Sequence, residues 1–281
     1  MKKIDLQEYK HEYKVGRACE PIQPNVKEDC LIYYKNEFLG FYMRKITGRL
    51  KQFIEIANKE FRSDNVPKTK NNRISGQRQT LKTKWDGKGH IGETPEDAVQ
   101  QYSTILGAIK PNAFVGRKYP TISSVHLEDK ARTFIKAMLG SVYESEQLIK
   151  KIMPEQYNNQ KQLLLKTPKQ YRFGNLFTSS ISNFNISAPF HRDTGNIKNC
   201  VNVIITKRKN SKGGNLYVPD YNACFDQCDN SILVYPAWRN LHGVTPIEPT
   251  YEGGYRNSLI FYALNGFHLY NKNGTKTETN E

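Results

Sequence analysis

The sequence predicts an α+β protein in which a partly helical first half precedes a β-rich second half. Before residue 170, apolar residues recur at helical spacing in several segments. From Tyr171 onward, short segments rich in β-branched and aromatic residues alternate with turn formers. Many short strands separated by regular turns are typical of a β-sandwich or a β-barrel.

The composition is that of a globular chain with an excess of positive charge. The 281 residues allow one large domain or two small ones, and 11% of them are aromatic, which argues against a disordered chain. Lysine and arginine number 42 against 27 acidic residues, a net charge of +15. This excess predicts a polyanionic partner, most simply nucleic acid. A lysine-rich coding bias is the alternative.

The chain is expected to act inside the cell. No apolar run approaches the ~20 residues of a membrane span, and the start MKKIDLQEYKHEYK lacks the apolar stretch of a signal peptide. Five cysteines, an odd number, favour reduced thiols. The expected location is the nucleus of a eukaryote, or the cytoplasm in a bacterial or viral setting; the oligomeric state stays open.

The first elements are a hairpin and a helix. Residues 1–28 form a polar lead-in that docking would order. Cys30–Tyr34 and Phe38–Met43 are apolar runs on either side of a polar turn, which predicts a β-hairpin. Apolar residues at helical spacing predict a core-facing helix over Ile46–Phe61.

A basic segment, Val66–Lys84, follows this helix. It contains no acidic residue, and its polar residues break any apolar period. Long loops without regular structure are typically either functional or disordered. We expect it to contact DNA phosphates, with a solvated charge run as the alternative. Its cations are Lys68, Lys70, Arg73, Arg78, Lys82 and Lys84, and Arg117-Lys118 are further candidates.

Three helices are predicted next. Thr94–Asp97 supplies an N-cap, a proline at the first helical position and acidic residues in the first turn, which predicts a helix to about Ile109. A second helix spans Leu127–Ile152, with Gly140 as a candidate break, and a third spans Glu155–Lys166.

Six strands are predicted in the second half, and no internal repeat is found. Their shared features are β-branched or aromatic residues and flanking turn formers. They are Phe173–Asn185, Val201–Thr206, Asn215–Val218, Ser231–Tyr235, His242–Pro246 and Ser258–Leu264.

Candidate metal ligands lie in this β-rich half. His191-Arg192-Asp193 stands at the end of a strand or in the turn after it, and His242 follows 51 residues after His191. Alternation places both side chains of an H-x-D on one strand face. Two imidazoles and one carboxylate bound facially are the ligand set of non-haem Fe(II) oxygenases. Two ordinary hydrogen-bonded histidines are the alternative.

Arg256 and Ser258 form a candidate carboxylate site 14 residues beyond His242. The two side chains share a strand face, and a guanidinium fork with a hydroxyl suits a carboxylate inside a barrel. For Arg256 alone, an ordinary salt bridge is the alternative. H-x-D arises often by chance, but the combination of motifs at this spacing indicates an oxygenase site.

In these motifs the chain resembles the Fe(II)/2-oxoglutarate-dependent dioxygenases, and among them the TET/JBP nucleobase oxygenases. His191–Asn196 is similar to H-x-D-x-x-N, His242–Ile247 to H-x-x-T-P-L/I and Arg256–Tyr262 to R-x-S-L-V-F-Y, over about residues 175–267. The resemblance implies a double-stranded β-helix (jelly-roll) core with the N-terminal helices and hairpin packed around it. We therefore expect an N-terminal elaboration over residues 1–170, the core over 171–270 and a polar tail over 271–281.

The resemblance also implies roles for individual residues. His191, Asp193 and His242 would hold Fe(II), and Arg256, with Ser258, would bind the distal carboxylate of 2-oxoglutarate. By analogy, Asn196 would hydrogen-bond a flipped base, and Tyr262 would stack on it or wall its pocket. The Asn196 amide can flip, so Asn196 alone cannot choose between bases.

The chain departs from the family at two points. Vertebrate-type members have a His two residues after the Tyr, where this chain has Leu264, so a base contact is missing or replaced. TET enzymes also carry a cysteine-rich zinc region. Cys19 and Cys30 are isolated here, and Cys224-x-x-x-Cys228 has no second ligand pair nearby, which predicts no structural zinc.

The expected function is oxidation of the C5-methyl group of thymine or 5-methylcytosine in DNA, with 2-oxoglutarate and O₂ as co-substrates. A base inside a duplex cannot reach a metal in a barrel, so the enzyme must flip the base and hold the backbone. Two alternatives remain: a related hydroxylase of a protein side chain or small molecule, and a nucleic-acid-binding protein with an inactive oxygenase core.

Overall fold

The structure is a computed structural model that describes residues 1–70 and 101–270. Its α-helices are α1 (Gly48–Arg62), α2 (Arg132–Ile152) and α3 (Pro154–Leu165). Its strands are β1 (Lys2–Asp5), β2 (Cys30–Tyr34), β3 (Glu37–Met43), β4 (Thr69–Lys70), β5 (Tyr102–Ile109), β6 (Thr121–Ile122), β7 (Ser179–Phe184), β8 (Ala188–His191), β9 (Asn202–Lys209), β10 (Ser211–Gly213), β11 (Leu216–Val218), β12 (Ala223–Phe225), β13 (Ser231–Tyr235), β14 (His242–Val244), β15 (Ile247–Pro249) and β16 (Tyr255–Tyr262). Within the described ranges, no helix combines the length and the apolar character that a membrane crossing requires.

Two mainly antiparallel sheets form the core of the molecule. The larger has ten strands in the order β1-β2-β3-β13-β9-β16-β7-β5-β4, with β6 paired to β5. The smaller has four strands in the order β12-β11-β14-β8, and β10 pairs with β15. The N-terminal hairpin is therefore part of the larger sheet rather than a layer packed outside it.

The two faces of the larger sheet are covered differently. Helices α1 and α2 pack on one face, where Phe61 of α1 is buried with Leu259 and Phe261 of β16. The smaller sheet packs on the other face and buries a second apolar cluster, which includes Leu216 and Tyr235. Because side chains alternate along a strand, each central strand contributes to both cores.

Helix α2 runs through Gly140, the candidate break. A Cβ at Gly140 would lie 2.7 Å from the ring of Phe53 on α1. Glycine is therefore used here for the close approach of two helices, and packing offsets its low helix propensity.

The predicted helix ending near Ile109 is wrong over the described part of its range. Tyr102–Ile109 forms strand β5, which pairs with β7 from Tyr102↔Phe184 to Gly107↔Ser179. Tyrosine, threonine and isoleucine favour strands, and pairing with a neighbouring strand outweighs a helix-start signal upstream. That signal, Thr94–Asp97, lies outside the described residues.

Most other elements occur where the sequence predicts them. The hairpin is confirmed by β2 and β3, with Lys35 and Asn36 in left-handed conformations at its turn (φ 47° and 66°). The lead-in docks by adding β1 in parallel to β2. The six predicted strands correspond to β7, β9, β11, β13, β14 and β16; β13 has the predicted bounds, and the bounds of the other five are shifted.

Candidate metal centre and substrate pocket

The three predicted metal ligands meet where the edge strand β8 of the smaller sheet pairs with β14. His191 ends β8 and His242 begins β14, and the two residues are direct cross-strand partners. Asp193 lies in the following turn, where its backbone N–H donates to the carbonyl of Ala237 at 3.3 Å. One ligand atom from each of the three side chains lies within 4.8 Å of the others.

Backbone carbonyls orient both imidazoles. The Nδ1 atom of His191 lies 2.7 Å from the carbonyl of Pro189, and that of His242 lies 3.1 Å from the carbonyl of Asn240. With Nδ1–H as the donor, Nε2 is left as the ligand atom. Burial, and then the neighbouring His191, lowers the pKa of His242 to about 4, so this ring is neutral at pH 7, as a metal ligand must be.

Two amides hold the carboxylate of Asp193. Its Oδ2 accepts from Nδ2 of Asn202 at 3.0 Å and from Nδ2 of Asn196 at 3.4 Å. Its Oδ1 lies 3.6 Å from Nε2 of His191. One oxygen is therefore anchored, and the other faces the imidazoles. No sequence motif marks Asn202, because only the fold brings β9 beside the turn that carries Asp193.

Arg256 is a buried cation without an anion. Arg256 is 2% exposed, and among the described residues its Nε has no hydrogen-bond partner. Burial, and then the neighbouring Arg208, lowers the pKa of Arg256 to about 9. No ion pair with Arg256 occurs in the described parts of the chain, so the salt-bridge interpretation is wrong. An uncompensated buried guanidinium fits a ligand that brings its own carboxylate.

All the residues predicted to bind metal, 2-oxoglutarate and base line one cavity of about 390 Å³. Such a volume is in the range of small-molecule sites. The chemistry of the donor set fits Fe(II), and the unpaired Arg256 fits 2-oxoglutarate. The predicted residues in the lining are His191, Asp193, Asn196, His242, Arg256, Ser258, Tyr262 and Leu264.

At the predicted base-binding end, Asn196 has a fixed orientation. Its Nδ2 donates to Asp193 and, at 3.0 Å, to Oδ1 of Asn202, and both partners are acceptors. The expectation that its amide flips freely is therefore wrong, because a flip would set oxygen against oxygen. Burial, and then the charge of Asp193, raises the pKa of Tyr262, which keeps its hydroxyl protonated. Leu264 forms a β-bridge with Asn196, at the same end of the cavity.

Most of the predicted phosphate-contacting residues cannot be placed. Arg73, Arg78, Lys82 and Lys84 lie outside the described residues, and the side chain of Lys70 is not described. Lys68 is half-buried; its ammonium donates to the carbonyl of Ser63 and lies 5.1 Å from the ring centre of Tyr102. The role of this segment stays a prediction.

The five cysteines are free thiols. Cys19 and Cys224, which the sequence does not connect, lie in one buried cluster with Phe190. Burial raises the pKa of both thiols to about 12, so they pack as neutral side chains.

Comparison with known proteins agrees with this geometry. The model of the family Tet_JBP, described as the oxygenase domain of the 2OGFeDO superfamily, matches residues 111–265. No curated protein sequence matches the chain. The fold is similar to that of NgTET1 in complex with 5mC DNA, at a TM-score of 0.55 and 12% identity, over 88% of this chain and 78% of that chain.

Two further solved structures are more distant. A 2OG-Fe(II) oxygenase family oxidoreductase from Burkholderia pseudomallei has a TM-score of 0.40 at 11% identity, over 77% of this chain and 83% of that one. A full-length Neurospora crassa protein in complex with alpha-KG has a TM-score of 0.38 at 13% identity, over 88% of this chain and 82% of that one.

The sheet topology and the likeness to NgTET1 confirm the predicted α+β class with a jelly-roll core.

Proposed function

Because the chain belongs to the Tet/JBP family of oxygenase domains in the 2OGFeDO superfamily, we propose that it oxidises the C5-methyl group of thymine or 5-methylcytosine in DNA. Membership makes the chain a 2-oxoglutarate-dependent dioxygenase and implies Fe(II) and 2-oxoglutarate as its metal and co-substrate. The nucleobase and the DNA are our proposal.

The observation that carries the proposal is the arrangement of one cavity. The candidate metal ligands, Arg256 and the group Asn196, Tyr262 and Leu264 all line this cavity. The polar and aromatic side chains in the same lining suit a planar base with hydrogen-bonding edges. The net charge of +15 supports DNA as the molecule that supplies the base. NgTET1, which shares the fold, was solved with 5mC DNA.

The residues of the chain have separable tasks in this reaction. His191, Asp193 and His242 would hold iron, which when bound activates O₂ with electrons from 2-oxoglutarate and yields succinate and CO₂ as co-products. Arg256 and Ser258 would bind the distal carboxylate and so orient the co-substrate. The Oδ1 of Asn196 would accept a hydrogen bond from the base, since Nδ2 is engaged. Tyr262 would hold the ring so that its methyl group faces the metal.

The test is nucleoside mass spectrometry after incubation with Fe(II), 2-oxoglutarate and O₂. Matched duplexes would carry thymine only or 5-methylcytosine as well, and Asp193→Ala would be the control. We expect a hydroxymethyl or further-oxidised nucleoside with the wild type and none with the variant. Succinate release that DNA does not stimulate, with no oxidised nucleoside, would instead favour a protein or small-molecule substrate. No succinate under any condition would favour an inactive core.

A further inference from the structure

The segment that follows β5 has an unusual surface. Residues 110–122 contain three cations and no acidic residue. Phe114 is 101% exposed, and Tyr119 is 54% exposed. Large apolar side chains in such number on one short segment are typical of a binding surface rather than of ordinary solvent-facing loops.

This segment lies at the rim of the substrate cavity. The Nζ of Lys110 donates to the carbonyl of Gly195 at 2.9 Å and also to Oδ1 of Asn265. Gly195 and Leu264 both line the cavity. The guanidinium of Arg117 donates to the carbonyl of Lys110 at 3.0 Å, which holds the second half of the segment near the same point.

The tip that carries Phe114 is a closed loop. Asn112 and Arg117 exchange two backbone hydrogen bonds, of 2.8 and 3.0 Å. The Oδ1 of Asn112 accepts from the N–H of Phe114 at 2.9 Å, and Gly116 adopts the left-handed conformation that closes the loop (φ 68°). The ring is thus held away from the body of the protein by a defined turn.

We propose that Phe114 is a wedge that enters the base stack of duplex DNA beside the nucleotide whose base occupies the cavity. This inference rests on the proposed function. Extruding a base leaves a gap in the stack, and an apolar side chain inserted at that step compensates for lost stacking. An aromatic ring stacks on any base, so the wedge would not depend on sequence.

The charge of this segment favours DNA over a protein as the partner that Phe114 enters. Arg117 and Lys118 flank the tip, and no acidic residue within the segment opposes them. A wedge between base pairs lies between two phosphate backbones, where cations on the same loop bind. Lys118 is exposed and is the candidate phosphate contact.

The experiment compares a duplex with a single strand of the same sequence, because a single strand has no paired base to extrude. We expect Phe114→Ala to lower turnover on the duplex by about tenfold or more, and to change turnover on the single strand by no more than about twofold. Phe114→Trp keeps a large aromatic ring at this position, so its turnover on the duplex should stay close to that of the wild type. The matched control is Tyr251→Ala, a 73% exposed aromatic before β16, at the strand end opposite Tyr262; it should leave both rates unchanged.

A second readout does not depend on chemistry. Anaerobic holoenzyme is added to a duplex with 2-aminopurine beside the target base, and the rise in fluorescence reports unstacking. The wild type and Phe114→Trp should give the rise, whereas Phe114→Ala should not. If the wild type unstacks the probe but oxidises no base, the proposed function fails and the wedge stands. Equal rates for Phe114→Ala and the wild type on the duplex, equal losses on both substrates, or no rise with the wild type would each overturn the wedge.

Discussion

The two faces of strand β16 contrast within a single run of eight residues. Leu259 and Phe261 point toward the helices and are fully buried in the apolar core. Arg256, Ser258 and Tyr262 point the other way and line the substrate cavity. Alternation along the strand thus places residues for stability and residues for chemistry next to each other in sequence but on opposite sides of the sheet.

The contrast shows on which side of the strand a buried charged side chain is tolerated. On the cavity side, the guanidinium of Arg256 has no carboxylate partner in the described chain and is buried. A buried charge without a partner is destabilising, so such a residue persists where a ligand supplies the opposite charge. On the helix side, Leu259 and Phe261 carry no polar group that needs a ligand. Substitutions on the two sides should therefore affect different measurements.

The largest effect is expected at the metal ligands. Asp193→Ala or His191→Ala should abolish turnover. This loss exceeds the ~10–100-fold loss of metal affinity or activity that is typical when a residue hydrogen-bonded to a metal ligand is replaced. Two remaining ligands would hold a labile divalent ion poorly, whereas the fold should survive. Succinate release, anaerobic Fe(II) titration and the thermal midpoint check this. Full activity in both variants would remove the metal assignment.

On the helix side, Phe261→Ala should cost stability. Truncating a fully buried phenylalanine typically costs about 3–5 kcal/mol of unfolding free energy, measured as a lower urea midpoint. The adjacent Tyr262→Ala is the matched control on the cavity side: it should lower turnover more than stability. Equal losses of stability and of activity in the two variants would contradict the difference between the two faces.

Arg256→Lys should weaken binding of the co-substrate while the fold persists. The substitution keeps the charge but loses the planar fork, which removes a charge-assisted hydrogen bond worth about 1.5–3 kcal/mol. We expect the 2-oxoglutarate concentration for half-maximal turnover to rise correspondingly. An unchanged 2-oxoglutarate dependence would show that Arg256 is not the anchor.

Asn202→Ala should weaken metal binding without removing a ligand. Loss of a hydrogen bond to a ligating carboxylate typically costs about 10–100-fold in metal affinity, and anaerobic Fe(II) titration measures it. The matched control is Asn257→Ala on the helix side of β16, where the amide donates to Oδ1 of Asn58 at 2.5 Å. That variant should lower stability and leave metal affinity intact. Equal metal affinities in wild type and Asn202→Ala would contradict the positioning role.

The smallest effect is expected at Leu264. Cytosine presents an acceptor at N3 where thymine has a donor, and leucine can pair with neither. An unpaired buried acceptor costs about 1–3 kcal/mol, which favours thymine in the wild type. Leu264→His should shift the oxidation ratio toward 5-methylcytosine by about fivefold, the lower end of that range. Competition between the two bases in otherwise identical DNA measures the ratio. A wild type that oxidises 5-methylcytosine alone, or an unchanged ratio in the variant, would exclude this role.

The N-terminal half shows the limit of local patterns. The helix-start signal at Thr94–Asp97 led to a helix where Tyr102–Ile109 is a strand. That strand is stabilised by pairing with β7, about 75 residues further along the chain, as in Gly107↔Ser179. A pairing partner so distant leaves no trace in a local window, and β propensity depends strongly on such context.

The sequence by itself predicted the β-rich half and the residues that line its cavity. Strand alternation, turn formers and the spacing of His191, Asp193, His242 and Arg256 are local or motif-level signals, and the structure brings these four residues into one cavity. Only the tertiary structure revealed Asn202 beside Asp193, Arg208 beside Arg256, and the exposed Phe114 on the segment that Lys110 joins to the cavity lining at Gly195. The physical reason is that a motif records which residues a ligand needs, whereas neighbours from distant segments are set by sheet pairing and packing, which no short stretch of sequence encodes.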